Sequence, residues 1–146
     1  MYIKQAINFA YENQSKFIRG LDDCLFCYLQ NLIVPDFIKQ KRQSLIKKYS
    51  VQSKFYSPSL PDFVFMLEPN KNLQLHNDIG AEIKFNHKRI LWVVQPAENG
   101  GNFCYEDEQI KFAQDGDYFV DVTKNHGLTK NLGKSNLILY SFGFIG

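Results

Sequence analysis

Apolar residues recur at helical spacing in the first third of the chain and gather into short runs thereafter, with the change of period near Pro61. Ile3, Ala6, Ile7, Ala10, Phe17 and Ile18 fall on one side of a helix, and Arg19-Gly20 supplies a cation for a last turn and a residue suited to a C-cap, so a helix is predicted over 3–18. Asp22 or Asp23 can cap a second, short helix whose apolar positions from Cys24 to Leu32 run most of the way round, which predicts deep burial. Pro35 ends it. Asp36 can cap a third helix to about Tyr49, with Phe37, Ile38, Leu45, Ile46 and Tyr49 on its inner face, before the loop Ser57-Pro58-Ser59-Leu60-Pro61.

Beyond Pro61, strands are predicted near 63–67, 73–78, 89–95, 102–105, 109–112, 117–122 and 136–144, joined by Pro69-Asn70, Asn99-Gly100-Gly101, Asp115-Gly116 and Gly133. Many short strands behind a helical preface predict an α+β, mainly β fold, a barrel or sandwich with about three helices on one outer face. The helices need the sheet to bury their apolar sides. Residues 1–146 therefore read as one domain, with 1–60 as helical support and 61–146 as the core.

Composition narrows the class. With 45% hydrophobic and 15% aromatic residues, 13 of them Phe, the chain has the makings of a ring-packed core. No apolar run reaches membrane-spanning length, and Met1-Tyr2-Ile3-Lys4 does not open a secretory signal, so a cytoplasmic protein without membrane partners is expected. Cys24, Cys27 and Cys104 are an odd number and form no disulfide framework; Cys24-Leu25-Phe26-Cys27 lies among apolar residues and reads as buried thiols. A net charge of +2 gives no case for nucleic acid. Lys39, Lys41, Arg42, Lys47 and Lys48 nevertheless crowd one predicted helix, either as a solvated face or as a docking surface for an anionic partner.

The candidate chemistry lies between His76 and His126. His76-Asn77-Asp78 is an H-x-D triplet, and alternation along a strand turns His76 and Asp78 to one side, where an imidazole and a carboxylate can share a metal ion. His126, far along the chain, supplies a third ligand. Two histidines and one carboxylate with open positions opposite suit non-haem Fe(II). Histidines that only pack beside a strand carboxylate are the plainer alternative. His87, in Asn86-His87-Lys88, reads as an exposed turn residue, and Trp92 as core.

The segment Pro69-Asn70-Lys71-Asn72-Leu73-Gln74-Leu75-His76, then Gly100-Gly101, Asp115-Gly116-Asp117 and His126-Gly127, resembles in order and spacing the marks of Fe(II)/2-oxoglutarate-dependent oxygenases, across roughly residues 63 to 144. That resemblance implies a double-stranded β-helix (jelly roll), His76, Asp78 and His126 as iron ligands, 2-oxoglutarate and dioxygen as co-substrates, and hydroxylation of a peptide side chain or small metabolite. In the family an Arg or Lys about ten residues past the second histidine pairs with the distal carboxylate of 2-oxoglutarate. Here that position is Asn136, Leu67 stands where a tyrosine is frequent, and Ile138 where a serine is frequent. Relatives that use a cation soon after the H-x-D direct attention to Arg89, ahead of Lys84 and Lys88, with Lys130 and Lys134 as further candidates. With the family's register on the last strand, Asn136, Ile138 and Tyr140 face the barrel interior and Tyr140 offers its hydroxyl to a ligand. A metal-binding, cupin-like jelly roll without turnover, or an iron oxygenase with another co-substrate, is the alternative function.

Overall fold

The computed structural model describes residues 2–53, 61–77 and 87–145. Helix α1 (Ile3–Glu12) is shorter than predicted, ending where the Asn13 side-chain amide donates to the Phe9 carbonyl, 2.9 Å. A 3-10 turn, Gln14–Lys16, then leads into strand β1 (Ile18–Arg19). The predicted second helix is instead strand β2 (Leu25–Tyr28), followed by a 3-10 turn, Leu29–Asn31. An unbroken apolar run fits either a buried helix or a strand covered on both faces, and here Leu25 and Cys27 face one way while Cys24 and Phe26 pack the other. Two α-helices, rather than three, therefore precede the barrel among the described residues.

Helix α2 (Asp36–Tyr49) forms as predicted. It begins after Pro35 and carries Asp36 in its first turn and Lys47 and Lys48 in its last, charges that complement the helix dipole. It stops at Ser50, left-handed at φ 51°, and β3 (Gln52–Ser53) follows.

Strands β4 (Phe63–Leu67), β6 (His87–Gln95), β9 (Gly116–Asp121) and β11 (Leu137–Ile145) join β1, β2 and β3 in one antiparallel sheet, ordered β1-β2-β4-β11-β6-β9 with β3 beside β11. Strands β5 (Leu73–His76), β7 (Phe103–Tyr105), β8 (Gln109–Ile110) and β10 (His126–Leu128) form a second sheet, ordered β5-β10-β7-β8. From β4 onward the chain steps between the two sheets at nearly every connection, the winding of a double-stranded β-helix. His87 opens β6 rather than sitting in a turn.

Two apolar layers result. Ala6, Ala10, Ile38 and Leu45 of the helices pack on Trp92, Ile138, Tyr140, Phe142 and Phe144 of the large sheet. The alanines let α1 lie close to the strands, close enough for the Tyr140 hydroxyl to donate to the Ala6 carbonyl at 2.6 Å. Between the sheets, Phe65, Leu67, Leu91, Val93, Leu137 and Leu139 meet Phe103 and Leu128. Each fully buried large side chain contributes about 1.5–3 kcal/mol, so both layers carry weight in the fold.

Three of the α2 cations reach carboxylates of the barrel. Arg42 pairs with Asp62 at 2.7 Å, Lys48 with Asp117 at 2.7 Å, and Lys41 with Asp115 at 3.8 Å while lying over the Trp92 ring. Much of the basic run thus binds the molecule's own barrel. Burial pushes the Cys24 thiol, next to Asp22, up to about 11, and raises Cys27 as well, as expected of inert structural thiols.

Candidate metal centre

His76 ends β5 and His126 begins β10, and the two residues are direct cross-strand partners. Their rings stand 4.5 Å apart, centroid to centroid, at 50°. A bulge makes this arrangement. Between the pairs His126–His76 and Leu128–Leu73, β5 carries one residue more than β10, so Gln74 and Leu75 bow outward while Leu73 and His76 both turn inward.

The bulge also accounts for the glycine after His126. A Cβ at Gly127 would lie 2.3 Å from the Leu73 carbonyl oxygen and 2.9 Å from that of Gln74. Only a residue without a side chain lets β10 close on the bulged strand. The other turn marks have comparable causes. Gly100 and Gly101 adopt φ of 69° and 61° where the chain bridges to Asn131, and Asn70 adopts φ 68°, a conformation Asn tolerates.

Each imidazole is held by main chain. His76 Nδ1–H donates to the Gln74 carbonyl at 2.8 Å, and His126 Nδ1–H to the Lys124 carbonyl at 2.7 Å. With the proton assigned to Nδ1, the lone pair sits on Nε2 in both rings, the state in which histidine coordinates a metal. His126 is 6% exposed and stacks on Phe103 at 13° and 5.7 Å, while Tyr105 stands opposite it on β7. The Tyr105 hydroxyl accepts the Asp121 N–H at 2.9 Å, and burial raises its pKa. Two imidazole nitrogens are donors of the kind a borderline metal ion such as iron(II) takes. Among the described residues no third His, Cys, Asp or Glu completes the group, and Asp78 lies outside them.

Arg89 enters the interior from the opposite sheet. Alternation along β6 sets Arg89 on the side of Leu91 and Val93, which belong to the cluster between the sheets. It is 5% exposed, donating from Nη1 to the Ser141 hydroxyl at 3.1 Å and from Nη2 to the Pro61 carbonyl at 3.0 Å, over the Phe63 ring. Beside it, Asp62 accepts from Arg42 and from the Gly143 N–H at 2.9 Å; burial holds its carboxyl above the ordinary value although these partners oppose that shift.

Asn136 and Tyr140 are corrections to the expected register. The inner face of β11 is Leu137, Leu139 and Ser141, with the leucines in the inter-sheet cluster. Asn136 instead donates to the Tyr11 hydroxyl at 3.4 Å, and Ile138 and Tyr140 pack under α1. Both faces of β11 are apolar because helices cover the outer one, so hydropathy does not reveal which face is inner. Lys88 pairs with Asp121 at 3.3 Å, and Lys84 falls outside the described residues. Sequence reasoning overlooked Phe103, Tyr105 and Ser141. The alternation of Phe103 and Tyr105 along their strand was the available signal for the first two.

No family model matches the chain, and no curated protein matches it in sequence. Solved structures do share its shape. HygX from Streptomyces hygroscopicus, with nickel and 2-oxoglutarate bound, superposes with a TM-score of 0.69 at 12% identity, over 97% of this chain and 78% of its own. The viral collagen prolyl hydroxylase vCPH from Paramecium Bursaria Chlorella virus-1, a 2OG complex, gives 0.65 at 14% identity, over 97% and 87%. A predicted oxalate decarboxylase from Thermotoga maritima gives 0.52 at 11% identity, over 89% and 90%. At such identities the likeness establishes the fold alone, a double-stranded β-helix, here with helices against its larger sheet.

Proposed function

We propose that the chain is a non-haem Fe(II)-dependent, 2-oxoglutarate-coupled dioxygenase, with His76, Asp78 and His126 as metal ligands and Arg89 as the anchor for the co-substrate's distal carboxylate. The observation that carries this reading is the apposition of two inward-facing histidines, each tied through Nδ1 to a carbonyl so that Nε2 coordinates. Iron(II) held by these residues would supply oxidative chemistry with dioxygen and 2-oxoglutarate, for hydroxylation of a peptide side chain or small metabolite. The chain's own residues do the rest. The two carbonyl bonds fix ring azimuth, so the ligand atoms are oriented before the metal arrives. Phe103 and Tyr105 wall the histidines and limit water. Arg89 presents a forked donor, with the Ser141 hydroxyl beside it, to a carboxylate that would be costly to bury without a cation.

A second reading, a metal-binding jelly roll without turnover, is favoured by the inner face of β11. Leu137, Leu139 and Ser141 leave that strand without a cation. One titration separates the two. Adding 2-oxoglutarate anaerobically to the Fe(II) protein should produce the visible charge-transfer band of a chelated keto acid; Arg89→Ala should need about 10–100-fold more co-substrate for the same band, the worth of one buried charge-assisted hydrogen-bonded pair. Bound iron with no band at saturating 2-oxoglutarate rules out 2-oxoglutarate as the co-substrate. His76→Ala, Asp78→Ala and His126→Ala should each lower iron content, and full retention by all three rules out the metal site.

A further inference from the structure

The tip of the β1–β2 hairpin, Gly20 to Cys24, is a strained piece of backbone that reaches from the large sheet to the metal strand. Asp22 and Asp23 are consecutive left-handed residues, at φ 55° and 61°. Non-glycine residues in that region cost energy, and two in succession persist only where contacts over-determine them. Besides bonds within the hairpin itself, those contacts fall on the segment leading to His76. Asp22 Oδ2 accepts the main-chain N–H of Gln74 at 2.6 Å, and its Oδ1 the Gln74 side-chain amide at 3.3 Å. Asp23 pairs with Lys71 at 2.7 Å, and the Cys24 thiol reaches the Asn72 carbonyl at 3.7 Å. Arg19 spans from the Asp23 carbonyl at 2.9 Å to Glu68 at 2.7 Å.

Gln74 is the residue that the bulge throws outward, and its carbonyl is the one that receives His76 Nδ1–H. Its N–H lies on β5, which among the described residues is an edge strand paired only with β10. Asp22 therefore fixes one side of Gln74 and His76 the other.

We propose that Asp22 is a positioning residue for the metal ligand His76, acting through the Gln74 main chain to hold the bulge and with it the ring's azimuth and tautomer. The proposal rests on the metal-site reading for its consequence, but the mechanical link can be tested without metal. Three full-length proteins suffice: wild type, Asp22→Ala, which removes both acceptors, and Asp22→Asn, which keeps one acceptor oxygen. In metal-free protein with neutral rings, imidazole nitrogen chemical shifts report the His76 tautomer. The Nδ1–H form should dominate in wild type, mix with Nε2–H in Asp22→Ala, and return in Asp22→Asn. Cobalt(II) affinity, read from its visible absorption, should fall about tenfold in Asp22→Ala, the lower end of what outer-shell ligand partners contribute, with recovery in Asp22→Asn.

A merely structural role would lower the melting temperature and leave tautomer and cobalt spectrum unchanged. That result, or a His76 tautomer identical in all three proteins, overturns the proposal. Absence of cobalt binding in wild type with an Asp22-dependent tautomer overturns the metal reading and leaves the positioning link standing.

Discussion

Gly127→Ala probes the join between the bulged strand and the histidine pair. The glycine's φ lies outside the left-handed region, so an alanine meets no backbone penalty and the whole effect is contact. The new Cβ would sit 2.3 Å from the Leu73 carbonyl oxygen, where ordinary contact begins at 3.4 Å, so the strands must part by roughly 1 Å (3.4 − 2.3). Both obstructing oxygens are main chain and cannot rotate aside. On its other edge β10 is held by β7, with Gly127 opposite Cys104, so β5 must yield and carry His76 with it. Overpacking of this kind costs about 1–3 kcal/mol. For a chain of this length that is a fall in melting temperature of about 2–12 °C.

Under the proposed metal-site reading, the larger consequence would be on metal affinity. Coordination distances tolerate about 0.2 Å, so a displacement several times greater should cost about 10–100-fold in metal affinity, more than the stability loss accounts for. Thermal unfolding by circular dichroism and a cobalt titration on the same sample read both quantities. Wild-type melting and affinity in Gly127→Ala would refute the argument that this glycine exists to admit the bulge.

Asn131→Ala should destabilise by about 2–4 kcal/mol in urea unfolding, because the buried amide donates to the Leu67 and Ser135 carbonyls and accepts from Gly133, and all three partners are stranded without it; a midpoint unchanged from wild type would contradict this. Arg42→Met keeps the packing on Phe144 but leaves the Asp62 carboxylate buried without its ion-pair partner, at about 3–5 kcal/mol near neutral pH. Burial raises the Asp62 pKa in the folded state, so protonation favours the fold below that value and its stabilising effect is lost as pH rises through it. The difference between Arg42→Met and wild type should therefore shrink as acid neutralises Asp62, and a pH-independent difference would show that the charge is not its source. Tyr140→Phe should lose about 1–2 kcal/mol through the abandoned Ala6 carbonyl while leaving 2-oxoglutarate and metal binding intact; a co-substrate defect would return Tyr140 to the interior.

Helix α2 to about Tyr49 and strand β4 near 63–67 were legible, because Pro35 marks the start of one, although Asp36 opens its first turn instead of capping it, and a compact apolar run after Pro61 marks the other. β2 was not, since an apolar residue at every position from Leu25 to Leu29 carries no period. The three residues of β10 hold a glycine in the middle and show no strand pattern; only the His-Gly pair drew attention to them. The bulge in β5 was hidden for a related reason: the sequence Leu73-Gln74-Leu75-His76 alternates regularly, and only the partner strand reveals that Leu75 is outside. Arg89 could be picked out by position, but its inward direction depended on which face of β6 meets the second sheet.

The division of apolar contacts into two layers separates what folds the molecule from what would carry its chemistry. Trp92, Tyr140, Phe142 and Phe144 are locked beneath the helices on the far side of the large sheet, while both histidines lie on the small sheet and one of them on its edge strand. Substitutions around His76 should therefore meet little resistance from the helix-covered core, and the chain can vary there while it still folds. Such decoupling leaves the small sheet free to change its chemistry without repacking the layer that holds the helices.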